Sequence, residues 1–83
     1  MTRYYFHMAD GYTRLDNVGK ELLTLHAARQ HAVKLSAEVL TKGINQESLW
    51  LGIHWRLWVT EGPDGSGGTL FTLRFAATPS SDE

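Results

Sequence analysis

The chain contains no cysteine. Disulfides and cysteine-based zinc knots, two common staples of small domains, are therefore excluded. Charge of one sign is also missing. Eight Lys and Arg stand against nine Asp and Glu, a formal net charge of −1. Nucleic-acid binders are usually basic, so this balance disfavours a role built on neutralising phosphates. No apolar run approaches the ~18 residues of a membrane span. The opening Met1-Thr2-Arg3-Tyr4-Tyr5-Phe6-His7 lacks a signal-peptide apolar region and cleavage site. A cytoplasmic protein is expected, and the lack of cysteine fits that compartment. With 83 residues, 42% of them hydrophobic, the chain is sized for one small folded domain. Such a domain buries only about 60–65% of its unfolded surface, so dimerisation is the remaining common support.

What is present is led by two strand-like runs, residues 53–60 and 69–75, joined by Glu61-Gly62-Pro63-Asp64-Gly65-Ser66-Gly67-Gly68. Neighbouring side chains in a strand point to opposite faces. One face therefore carries Ile53, Trp55, Leu57, Val59, Phe71, Leu73 and Phe75, a core set. The other carries His54, Arg56, Trp58, Thr60, Leu70, Thr72 and Arg74, facing water or a partner. Residues 3–9 alternate in the same way. Tyr4, Phe6 and Met8 share one face, and Arg3, Tyr5, His7 and Ala9 the other. Asp10-Gly11 ends that strand with a turn signal. Residues 12–20 are irregular, and part of 19–23 can pair as a short extra strand.

Residues 24–42 form the one good helix. Leu25, Ala28, Ala32, Leu35 and Val39 recur at spacings of three and four, marking a buried stripe. Thr24 suits the N-cap and Gly43 the closing position. A second, milder stripe of His26, Gln30, Val33 and Ala37 makes the outer helix face an alternative docking surface. Ile44, Leu49, Trp50 and Leu51 anchor the connector before the hairpin. The reading is one α+β domain over residues 1–76 and a disordered acidic tail over 77–83. The predicted architecture is a two-layer sandwich, strand-helix-strand-strand, with a small antiparallel sheet in order 1-3-2 and the helix on one face. The right-handed crossover makes the first two strands parallel, and the third inserts between them. One sheet face stays bare.

Few residues suit chemistry. His26 and His31 are five apart, about 140° around a helix, so they do not form a ligand pair. His7 and His54 share the bare face but have no cysteine or carboxylate to complete a set. Zinc needs three or four ligands, so exposed histidines are the simpler reading, and no metal or cofactor is expected. Ser36, Ser48 and Ser66 lack the surroundings of an activated nucleophile. The carboxylates Asp10, Asp16, Glu21, Glu38, Glu47, Glu61 and Asp64 read as turn or surface groups. The glycine-rich segment lacks the lysine and the following helix of a phosphate loop, so it reads as a long hairpin turn. An enzyme is not expected.

The bare face offers Tyr5, His54, Arg56, Trp58 and Arg74, with Trp50 and Leu49 extending it. Aromatics and arginines on a sheet can stack single-stranded bases, and the same types dominate protein–protein hot spots. The net charge favours the protein partner, a second copy included, and makes nucleic acid the alternative.

Arg3-Tyr4-Tyr5-Phe6-His7, Asp10-Gly11, Asp16 with Gly19-Lys20-Glu21-Leu22, Leu25-His26-Ala27-Ala28-Arg29 and Trp55, Val59 and Gly68-Thr69-Leu70-Phe71-Thr72-Leu73-Arg74-Phe75 occur in this order. In that order they resemble a family of small uncharacterised alphaproteobacterial proteins, a domain of unknown function. The resemblance spans residues 3–76. It implies a single α+β domain from a bacterial cytoplasm and brings no catalytic residues. The connector 43–52 and the glycine-rich loop depart from the family pattern. The expectation is a non-enzymatic protein-binding module, a small regulator docking on another protein. By analogy of size and surface, an antiactivator of a transcription regulator is one form of it.

Overall fold

The computed structural model describes residues 1–42, 49–52 and 54–78. β1 (Thr2–Ala9) is followed by two short strands, β2 (Thr13–Arg14) and β3 (Lys20–Leu22). The helix α1 (Leu25–Lys42), β4 (Trp55–Thr60) and β5 (Thr69–Phe75) come next. A single 3-10 turn, Pro63–Gly65, sits in the β4–β5 connection. The strands make one antiparallel sheet in order β2-β1-β4-β5, with β3 also beside β1. The class is the expected α+β fold.

The strand order is not the expected one. β4, not β5, is the middle strand of the long three. The cause lies in residues 13–22. β2 pairs with the end of β1, Met8 opposite Arg14, and β3 with its start, Thr2 opposite Leu22. The chain has thus run back the full length of β1 before the helix begins. The helix then carries it up again, about 27 Å for 18 residues against roughly 26 Å for the eight of β1. β4 therefore starts at the far end and descends antiparallel to β1, with Phe6 opposite Val59 and Met8 opposite Leu57. No parallel crossover exists between them.

The predicted core face holds along the described part of the hairpin, but Leu70, expected on the second face, packs against the core beside the register shift at Val59 and Thr60. Trp55, Leu57 and Val59 pair with Phe75, Leu73 and Phe71, and all lie on the side of Tyr4 and Phe6. Tyr4, Phe6, Trp55, Leu57 and Val59 are buried there, with Ala28 and Ala32 from the helix. The buried helix stripe is Ala28, Ala32 and Ser36, spaced by four. Such small side chains let the helix backbone approach the sheet, while Leu35 and Val39 pack against the core along one flank of the stripe. Leu25, expected in the stripe, is exposed. The His31 ring meets Phe6 edge-on at 4.9 Å and seats the helix on β1. Thr24 caps the helix as predicted, its Oγ1 accepting the Ala27 N–H at 3.1 Å. Gly43, Ile44, Ser48, Ile53 and the tail from Pro79 lie outside the described residues.

Candidate functional site

The second sheet face is built in rows across the ladder. Ala9, Arg56 and Arg74 form one row, and His7, Trp58 and Thr72 the next. Tyr5, Thr60 and Thr69 follow, after a register shift between Val59 and Thr60. Alternation alone predicts that the whole face is bare. Only its Arg56 end is.

Two loops close the other end. His7 is 0% exposed and Thr60 1% exposed. His7 Nδ1 accepts the Asp16 backbone N–H at 2.9 Å, and Nε2 lies 2.7 Å from Thr60 Oγ1. Since Nδ1 accepts, the ring proton sits on Nε2 and is donated to Thr60. Thr60 in turn donates to the Gly62 carbonyl at 2.7 Å. The Asp64 N–H donates to the Asp16 carbonyl at 2.9 Å, tying the two loops to each other over the imidazole. Burial holds the His7 pKa below 6.5, against the opposing pull of Asp16 and Asp64. The ring is neutral at neutral pH.

The Asp16 carboxylate is the organiser of the first loop. Oδ2 accepts the Phe6 N–H at 3.0 Å, and Oδ1 accepts those of Val18 and Gly19 at 2.9 and 3.0 Å. Burial pushes its pKa up, but the Gly19, Phe6 and Val18 donors, helped by His7, outweigh it and hold the group below 3.8. Gly19 has φ +74°, and a Cβ there would come within 2.8 Å of both Arg3 Cγ and Tyr5 Cε2. Only glycine lets the loop lie this close to Tyr5. The second loop, which its glycine content marks as flexible, is held by Gly62 N–H to the Ser66 carbonyl at 3.0 Å and Ser66 Oγ to the Pro63 carbonyl at 2.7 Å.

The open end is organised around Trp58, which is half-buried. The His7 ring lies 5.4 Å from it, tilted by 40°, and supports it from the closed side. The Arg56 guanidinium carbon sits 4.3 Å from the Trp58 ring centroid. This contact holds the guanidinium over the indole, a pre-ordered arrangement for a fork of donors. Arg74 stands directly across the ladder from Arg56. Like charges in that relation repel and destabilise a sheet. Among the described residues neither guanidinium has a carboxylate within ion-pair distance; the ion pairs there are Arg3 with Glu21 and Arg14 with Asp10.

Of the expected site residues, Arg56, Trp58 and Arg74 come together. Tyr5 shares the face but lies under Gly19 at the closed end. His54 precedes β4 and is exposed beyond the last row, so it does not approach His7. Trp50 is 62% exposed, while Leu49 packs on the core and so lies on the other side of the sheet. Leu49 does not extend the patch. Among the described residues no three His, Cys, Asp or Glu side chains cluster as metal ligands. The positioning roles of His7 and Asp16 do not emerge from alternation and turn signals. The run Asp16-Asn17-Val18-Gly19 is the available signal, since an Asp that bonds backbone N–H groups two and three residues on makes an Asx turn.

Residues 3–76 match the family model described as Domain of unknown function (DUF6894). The chain belongs to this DUF6894 family. Neither the curated proteins nor the solved structures contain a match. The family match covers every element of the sheet from Arg3 onward, the helix and both loops over His7.

Proposed function

We propose that this DUF6894 chain is a non-enzymatic protein-binding module, a small cytoplasmic regulator of alphaproteobacterial origin. Its contact is the open end of the sheet, with Trp58, Arg56 and Arg74 at the centre and an acidic surface on the partner. One observation carries this reading. Arg56 and Arg74 oppose each other across the ladder without a carboxylate among the described residues, and Arg56 is pre-ordered on Trp58. Tryptophan and arginine are among the side chains most enriched at binding hot spots. The groups best suited to acid–base work, His7 and Asp16, are spent on holding loops. Loop closure over Tyr5 and His7 also removes two rings that a single-strand stacking platform would use, which weakens the nucleic-acid alternative.

The test is Trp58→Ala combined with Arg56→Glu. Both side chains lie off the core, so the variant should keep the wild-type circular dichroism spectrum. Tagged wild type, expressed in its own host, should capture a protein that the folded variant does not. Capture that vanishes on nuclease treatment, with affinity falling steeply as salt rises, would establish nucleic acid instead.

A further inference from the structure

The two edges of the sheet are treated differently. On the β1 side the edge consists of β2 and β3, two and three residues long. Very short edge strands are one way native sheets avoid pairing with other chains. The other edge is β5, seven residues long, with no proline and no lysine. Among the described residues no strand pairs with its outer side. Alternate N–H and C=O groups along it therefore point outward as a template for one more strand.

The ground on either side of that edge is distinct. On the core side the helix packs toward β3 and β4. It leaves a groove of about 340 Å³ between α1 and β5, lined by Val33, Ser36, Ala37, Leu40, Leu73 and Phe75. Ser36 Oγ already donates to the Ala32 carbonyl at 2.8 Å, so the groove offers apolar contact. Val33 is 59% exposed at its rim. On the opposite side, the same strand presents Arg74 beside Arg56.

We infer that the β5 edge is a strand-addition site for an extended segment of another protein whose side chains alternate apolar and acidic. The open edge selects a strand, because only an extended backbone can pair with it. A strand points successive side chains to opposite faces. One set then enters the groove against Leu73, Phe75, Val33 and Ala37. The other set stands beside Arg74, close enough for cross-strand pairing. Charge also separates this occupant from a second copy. β5 reads Thr-Leu-Phe-Thr-Leu-Arg-Phe and holds no carboxylate, so in no register does one β5 answer the Arg74 of another. The inference rests on the reading of the chain as a protein-binding module, but it places the contact at the edge and names the ligand chemistry.

The probe is a fluorescein-labelled peptide, Val-Glu-Val-Asp-Leu-Glu-Val, blocked at both ends, titrated with full-length protein. A scrambled peptide and one with lysine at each acidic position serve as controls. The wild type should bind the acidic peptide alone, and β5 amides should gain hydrogen-exchange protection. Val33→Glu, on the exposed helix surface, should weaken binding about tenfold or more by placing a charge in the groove that receives the peptide's apolar side chains. Arg74→Glu should do the same and transfer preference to the lysine peptide. Binding of none of the three peptides, equal binding of all three, or β5 protection in peptide-free protein that sediments as a dimer would each overturn the inference, the last in favour of a second copy. If Trp58→Ala/Arg56→Glu loses its cellular partner while Val33→Glu keeps it, and the acidic peptide does not bind, the edge inference fails and the sheet-face reading stands. If the peptide binds at β5 and capture is unaffected by Trp58→Ala/Arg56→Glu, the edge inference stands and the sheet-face reading fails.

Discussion

His7 shows at the residue scale how a position can be legible while its role is not. Strict alternation in residues 3–9 places it on the face away from the core, and the ladder confirms this, with His7 opposite Trp58. Alternation says which way a side chain points but not what folds over it. The lid comes from two loops, one anchored at Asp16, nine residues on, and the other at Asp64 in the distant β4–β5 connection. A pH dependence follows. Burial holds the folded His7 pKa below its ordinary 6.5, so between those values the unfolded chain binds a proton that the folded chain does not. Stability is therefore fully present above about pH 6.5 and falls as pH drops through the window beneath it. His31 adds to the same slope, its pKa lowered by burial and by Lys20 and Lys34 against Glu38. Urea denaturation at pH 7.5 and 5.5 should show the wild type losing stability on acidification. His7→Gln should be weaker at pH 7.5 but lose less between the two. Identical pH slopes in the two proteins would show that His7 does not titrate on unfolding.

At the scale of elements, the helix is the most legible part, because a capped 3.6-residue period needs no knowledge of the rest of the chain. The buried stripe nevertheless shifts to Ala28, Ala32 and Ser36, since close approach to a sheet rewards small side chains over leucine. The least legible element is the return segment 13–22. Its pairing is only two and three residues long, too brief for a period-two pattern to register. Without its reversal of the chain, the strand order comes out wrong. The loop within that segment is held in place at Gly19. Gly19→Ala sets a Cβ against Arg3 and Tyr5 and requires a left-handed backbone of a residue that resists it. The expected cost is about 1–3 kcal/mol from backbone conformation, with steric displacement in addition. Thermal denaturation measures it, and hydrogen exchange at Val18 and Gly19 should rise as their bonds to Asp16 loosen. An unchanged melting temperature would mean that the loop moves freely off Tyr5 and that the lid over His7 is not rigid.

At the scale of the whole molecule, one face of the sheet builds the core and the other is divided between a sealed end and a charged end. A chain of 83 residues has little stability to spare. A repulsive Arg56–Arg74 pair on its surface is therefore informative, because folding alone does not favour it. Arg74→Glu tests what the pair is for. It turns a like-charge cross-strand contact into an opposite-charge one and leaves Arg56 on Trp58. Such pairs contribute about 0.2–1 kcal/mol. In a domain of this size 1 kcal/mol shifts the melting temperature by about 4–8 °C, so a gain of a few degrees is expected at low ionic strength. The gain should shrink in concentrated salt, where exposed charges are screened. The same substitution should abolish binding of an acidic partner. A variant more stable than wild type yet unable to bind would show that the two arginines are kept for recognition at a cost to the fold. A destabilised variant would mean that Arg74 supports the sheet, and the site would then have to be sought away from it.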